Sequence, residues 1–148
     1  METDETIKKG FLRLERYAQN IPGGFHCCAE DPENGYPFAY VSDRFLEILG
    51  WEREEFAARF DNRYTALIHP DDLAAGLRYR NAENSATYAK NGDSIFRILG
   101  KNGYRWVTNA ANQVEWYGKG YIVGTITDIT PYMEPVSYTR LTLPTIRL

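Results

Sequence analysis

From Ser94 to Ile129 the chain alternates with a period of two, broken only at two short turns. Consecutive segments joined in this way can only form an antiparallel sheet. The reading places strands over 94–100, 105–116 and 121–129. In the last of these, Ile122, Gly124, Ile126 and Asp128 alternate against Val123, Thr125, Thr127 and Ile129. Lys101-Asn102-Gly103-Tyr104 is predicted as the first hairpin turn, Asn-Gly taking the positive φ angles of a type I′ turn. Tyr117-Gly118-Lys119-Gly120 makes the second.

Upstream the period changes. Ile7, Phe11, Leu14 and Ala18 recur at helical spacing, so residues 3–20 are predicted as an amphipathic helix capped by Thr3 or Asp4. Ile21-Pro22-Gly23-Gly24 breaks it. Residues 25–30 and 38–41 read as two strands around the turn-rich segment Asp31-Pro-Glu-Asn-Gly35. Ser42 is a good N-cap for a helix over 43–49, with Gly50 at its left-handed end, and the acidic start of 52–60 marks another. Pro70, Asp71 and Asp72 open a further helix, predicted to fade between Asn84 and Ala89. The order is helix, two strands, short helices, three strands. That is an α+β domain: a five-stranded antiparallel sheet with short helices on one face and an N-terminal flanking helix. Its first and last strands are predicted to be neighbours.

A chain of 148 residues suits one domain. With 43% hydrophobic and 25% charged residues and a net charge of −3, it has no basic footprint for nucleic acid or anionic lipid. No apolar run approaches the ~20 residues of a membrane span, and the N-terminus lacks the apolar core of a secretory signal. Cys27 and Cys28 are adjacent and point to opposite faces of a strand, so reduced thiols and a cytoplasmic location are expected.

Four stretches carry a resemblance. Phe38-Ala-Tyr-Val-Ser-Asp-Arg-Phe-Leu-Glu-Ile-Leu-Gly-Trp51 is similar to an aromatic-rich strand entering a helix that ends Leu-Gly-Tyr. Leu67-Ile-His-Pro-Asp-Asp72 carries a His-Pro-Asp-Asp motif. Phe96-Arg-Ile-Leu-Gly-Lys-Asn-Gly-Tyr-Arg-Trp-Val107 is similar to a Lys-Asp-Gly hairpin, and Gly124-Thr-Ile-Thr-Asp-Ile-Thr130 to a closing Asp-Ile-Thr motif. Each is weak alone, but four in this order resemble a PAS domain over about residues 21–130. Glu52, where the family usually has Ser or Thr, and the loosely fitting 85–92 depart from it. The resemblance implies a sheet that cups a small ligand against helices. It also implies an input module for a histidine kinase, a cyclic-dinucleotide enzyme or a similar output.

No residue is assigned a catalytic or metal-binding role, and cofactor-binding residues do not follow from spacing. His69, Asp71 and Asp72 read as a helix start with His69 as the capping neighbour, rather than an acid–base cluster. His26, Cys27 and Cys28 are consecutive on one strand and cannot all face one ion. Haem-binding relatives use a His in the long helix, and 70–89 contains none. Flavin photosensors of the superfamily use a Cys in an Asn-Cys-Arg-Phe-Leu motif, and no Cys follows Cys28. Gly23-Gly24 and Gly118-Lys-Gly120 lack the spacing of a phosphate loop. Tyr40, Trp51, Tyr64, Tyr88, Tyr104, Trp106, Trp116, Tyr117 and Tyr121 suit strands and core, a minority of them lining a cavity.

Three segments result: the helix at 1–20, the domain at 21–130 and a tail at 131–148. Val136-Ser-Tyr-Thr-Arg-Leu-Thr-Leu-Pro-Thr145 resembles one frame of a transposase sequencing adapter, with Arg140 where that frame gives His. The tail is therefore expected to be non-native, the gene continuing past about Glu134 into an output domain. The leading expectation is a non-catalytic sensory module, dimeric through its N-terminal helix, with a small-molecule ligand in the cup. The alternatives are a small enzyme using a pocket His or Asp, and a ligand-free dimerisation scaffold.

Overall fold

The computed structural model describes residues 9–10, 23–84 and 94–133. Five strands form one antiparallel sheet: β1 (Gly24–Ala29), β2 (Phe38–Val41), β3 (Ser94–Gly100), β4 (Gly103–Trp116) and β5 (Lys119–Asp128). Their order across the sheet is β2-β1-β5-β4-β3. The first and last strands are neighbours, as expected, with Gly24 opposite Ile126 and Ala29 opposite Tyr121. Among the described residues, four helices lie between β2 and β3: α1 (Asp43–Leu49), α2 (Arg53–Phe60), α3 (Tyr64–Leu67) and α4 (Leu73–Gly76), the last preceded by a 3-10 turn at Pro70–Asp72.

Caps fix where these helices begin and end. The Ser42 hydroxyl accepts from the backbone N–H of Phe45 at 3.2 Å, and also from Phe25 of β1 at 3.0 Å, tying the α1 start to the sheet. Gly50 takes φ 80° and returns its N–H to Leu46. Before α2, Glu55 accepts from the N–H of Glu52 at 3.2 Å, the reciprocal half of a capping box. Glu52 thus gains from its neighbour what it lacks as a cap.

The core lies between the helices and one face of the sheet. Phe45, Phe60 and Leu67 from the helices meet Phe96, Ile98, Val107 and Ile126 from the strands, all essentially unexposed. The opposite face carries a smaller cluster around Cys27 and Tyr121, flanked by Phe25, Ala39, Tyr40, Trp116 and Val123. Gly10 lies flat against it: a Cβ there would stand 2.7 Å from the Trp116 indole. Residues 9 and 10 are helical, and the rest of the helix predicted over 3–20 lies outside the described residues. So does the tail from 134 onward, with its adapter-like stretch.

Three expectations are corrected. The helix opened by Pro70 stops at Gly76 instead of running to 84–89. Gly76 packs on Ile68, where a Cβ would come within 2.9 Å of two side-chain carbons. Beyond it the Arg80 N–H donates to Ala111 and the Arg80 carbonyl accepts from Gln113, so the backbone finds its partners on β4 and not within a helix. The type I′ turn lies at the other hairpin. Lys101 and Asn102 form the first loop and only Gly103 has positive φ, 123°, whereas Tyr117 and Gly118 both take left-handed values, 53° and 76°. Finally, β4 begins at Gly103, and β5 begins at Lys119 and closes at Asp128.

Candidate ligand site

A cavity forms where three small features of the sheet meet. His26 of β1 is opposite Gly124 of β5, which in turn is opposite Ala111 of β4. With no side chain at Gly124, the imidazole of His26 lies over the backbone. A Cβ there would come within 2.8 Å of both His26 Nε2 and Asn109 Oδ1. Those two atoms are 2.9 Å apart and buried. Glycine inside a strand commonly marks such a close approach. On the helix side the Tyr64 ring stacks on His26 at 5.3 Å and 22°, and Phe45 closes a second side at 5.6 Å.

Around this pair the cavity is walled by Cys28, Tyr36, Ile122 and the segment Gly76-Leu77-Arg78-Tyr79. It is narrow: the centre of a water-sized sphere has about 10 Å³ in which to move, room for one water. His26 is buried, and its other ring nitrogen, Nδ1, has no hydrogen-bond partner among the described residues. Burial pulls its pKa down to about 4, against the pull of Asn109, so the ring is neutral at pH 7. If Nε2–H donates to Asn109 Oδ1, Nδ1 is a bare acceptor.

One wall is held by a latch. Tyr79 donates its hydroxyl to Glu30 Oε2 at 2.8 Å, and Gln113 Nε2 donates to Glu30 Oε1 at 2.6 Å. Burial and this bond to Glu30 push the Tyr79 phenol up to about 12, so it stays a donor. Asn81 and Asn84 accept from each other's backbone N–H groups, closing the turn after the segment.

A second constellation lies at the end of the sheet. Arg105 Nη2 meets Asp128 Oδ2 at 2.6 Å, and Asp128 Oδ1 accepts from the Thr130 N–H at 2.9 Å. The Thr130 hydroxyl accepts from the Trp106 N–H at 2.7 Å. Burial opposes ionisation of Asp128, but Arg105 and Thr130 outweigh it and hold the carboxyl below its usual value. The chain turns helical over 130–133 directly from this knot. Asp-Ile-Thr thus ties the sheet to the segment that leaves it.

The residues weighed in the sequence fall in different places. His69 Nδ1 accepts from the Asp71 N–H at 3.1 Å, the capping role read from the sequence, while its ring rests 4.7 Å from Tyr104. Asp71 points outward, and Asp72 holds Arg97 through two bonds of 2.8 and 2.9 Å, which draws its carboxyl down to about 2. Cys27 faces the outer cluster and Cys28 the cavity. Burial raises both thiols, Cys27 to about 12. Among the described residues no group of three or more His, Cys, Asp or Glu side chains is placed to hold a metal ion. Nor is any helix there long and apolar enough to cross a membrane.

Asn109, Glu30 and Tyr79 were not singled out from the sequence, and Gly124 was read there only as part of the last strand and its closing motif. Two signals for Asn109 and Gly124 were present: a glycine inside a strand, and an asparagine between Val107 and Ala111 on the inward side of β4.

A family model described as the PAS fold matches residues 38–126, more than half of the chain. The chain belongs to the PAS fold family. Among solved structures the PAS chain is similar to a sensory box histidine kinase/response regulator from Burkholderia thailandensis E264, with 23% identity and a TM-score of 0.53 over 93% of this chain and 97% of that one. A PAS domain from a two-component sensor histidine kinase aligns at 14% identity and a TM-score of 0.53, over 82% of this chain and 98% of that one. An RNA-binding light-oxygen-voltage receptor aligns at 17% identity and a TM-score of 0.55, over 85% of this chain and 34% of that one. At these identities the likeness is one of fold. No curated protein matches.

Proposed function

We propose that this PAS domain is a non-catalytic sensory module of a cytoplasmic signalling protein, with the His26–Asn109 cavity as its input site and the Asp128–Thr130 knot as its exit. The observation that carries this reading is the cavity beside the buried His26, in a PAS fold similar to those of a sensory box histidine kinase/response regulator and a PAS domain from a two-component sensor histidine kinase. Non-catalysis is supported by the surroundings of His26. The cavity beside it is lined by aromatic and aliphatic groups with Cys28, Arg78 and Asn109, and among the described residues no carboxylate lines it to orient the imidazole as a general base. The cytoplasmic assignment rests on two free cysteines.

In this reading an output domain follows the exit segment, and the N-terminal helix pairs two subunits. The outer face offers it an aromatic seat at Trp116, where Gly10 already lies. Native mass spectrometry of the intact chain, with a small-molecule panel read by thermal shift, tests the sensory assignment. A retained or stabilising small molecule supports it. A chain that neither retains nor responds to any compound, yet dimerises, is the ligand-free scaffold instead. Sedimentation of the intact chain against one beginning at Ile21 tests the pairing. Two monomers at tens of micromolar would remove the helix from that role.

A further inference from the structure

Three asparagine–glycine pairs occur in the chain: Asn34-Gly35, Asn91-Gly92 and Asn102-Gly103. Asn91 and Gly92 lie outside the described residues. In such a pair the glycine, lacking a Cβ, leaves its backbone nitrogen open to approach by the preceding carboxamide. The fold treats the two described pairs differently.

Asn34 is held. Its Nδ2 donates to Asp31 Oδ2 at 2.7 Å. Gly35 is buried, its N–H donates to the Pro32 carbonyl at 3.2 Å, and a Cβ on it would meet Arg63 Nε and Thr65 Oγ1 at 2.7 Å. The Asn34 carboxamide therefore has a bond to give up and a crowded nitrogen to reach. At the tip of the β3–β4 hairpin neither the tie nor the crowding is present. Asn102 and Gly103 are both exposed. The Asn102 side chain makes no hydrogen bond among the described residues, and nothing stands within 4 Å of the position a Gly103 Cβ would take. Gly103, opposite Gly100, is the terminal pair of the ladder, where a hairpin opens first.

We propose that Asn102 is a self-modification site, where the side-chain amide converts to an acid without an enzyme and the isoaspartate product loosens the hairpin. The Gly103 nitrogen attacks Asn102 Cγ. A new C–N bond forms, the Gly103 N–H proton is lost to solvent, and the side-chain nitrogen takes up a proton and leaves as ammonia. Water then opens the resulting cyclic imide at either carbonyl. One opening gives ordinary aspartate. The other gives isoaspartate, with the main chain running through Cβ and Cγ. Water is consumed, ammonia is released, and nothing is oxidised or reduced. Both products put a negative charge beside Lys101, whose Nζ is held by Glu55 Oε1 and Oε2 at 3.0 and 2.8 Å. Isoaspartate also adds one backbone atom to a loop whose length sets the Gly100–Gly103 register. The loop has no slack for it, since the Lys101 N–H is held by the Leu49 carbonyl at 2.8 Å.

The full chain, aged in mildly alkaline buffer and digested, tests this when the Asn34 and Asn102 peptides are scored for amide-to-acid conversion by mass spectrometry. In the folded chain Asn102 is expected to convert about tenfold faster than Asn34 or more, a barrier difference of ~1.4 kcal/mol. In urea above the unfolding midpoint the hold on Asn34 is gone, and the two rates are expected to converge. Equal rates in the folded chain, a faster Asn34, or a ratio that urea leaves unchanged would overturn the proposal. The isoaspartate fraction, resolved by ion exchange, is expected to melt below the fresh chain. Asn102→Asp, which has the charge without the extra backbone atom, is expected to melt with the fresh chain. Coincident melts of the isoaspartate fraction and the fresh chain would overturn the loosening, and so would an equal loss in Asn102→Asp, which would assign it to charge.

Discussion

At the scale of single residues the structure turns on His26 and the glycine beneath it. A neutral imidazole buried beside Asn109 is bound to make stability depend on pH. Above pH 6.5 the folded and unfolded forms are both neutral and the full stability is present. As the pH falls from 6.5 to about 4, the unfolded chain takes up a proton that the folded chain refuses, so stability drops. The loss is about 3 kcal/mol in total, at roughly 1.4 kcal/mol per pH unit. Urea midpoints across this range should fall for the natural chain and fall less steeply for His26→Leu. Parallel profiles would mean that His26 is not the group responsible. Gly124→Ala places a methyl within 2.8 Å of both partners of the His26–Asn109 bond. Overpacking of that kind costs about 1–3 kcal/mol, which denaturant melts would detect.

Among the elements, those legible in the sequence were the ones whose signals are local. Ser42 and Gly50 bracket α1 as their chemistry dictates, and the alternation over 94–128 gives three strands. The errors arose where a distant partner decided the outcome. The helix after Pro70 ends early because Arg80 finds backbone partners on β4, and nothing within 70–84 announces that pairing. The Asn-Gly turn adopts a loop of Lys101 and Asn102, leaving the demand for positive φ on Gly103 alone. Gly103→Ala should therefore cost about 1 kcal/mol, whereas Asn102→Ala carries no φ penalty. Equal shifts in thermal midpoint for the two would restore the type I′ reading. At the second hairpin, Tyr117 bears a left-handed conformation that favours Asn or Gly, and its ring stacks on Trp116 at 5.4 Å.

For the whole molecule, the two constellations sit at different places on one sheet. β5 connects them: Gly124 lies under His26, and Asp128, four residues on, anchors Thr130. β4 connects them again through Asn109 and its neighbours Arg105 and Trp106. Sequence motifs announced the knot proposed as the exit, because Asp-Ile-Thr holds its bonding groups in consecutive residues. The cavity was hidden, since its members come from β1, β4, β5 and the segment after α4, and only the fold assembles them. Fold and family were legible in the sequence, then, but the site was not.

The account's central claim is that occupancy of the cavity is felt at the exit. Amide hydrogen exchange of the full chain, with and without a ligand bound at His26, tests this most directly. The account predicts changed protection both at cavity strand positions such as Ala111 and Ile122 and at the Trp106 and Thr130 N–H groups of the exit knot. Protection changes confined to the cavity, with Trp106 and Thr130 exchanging as before, would contradict it.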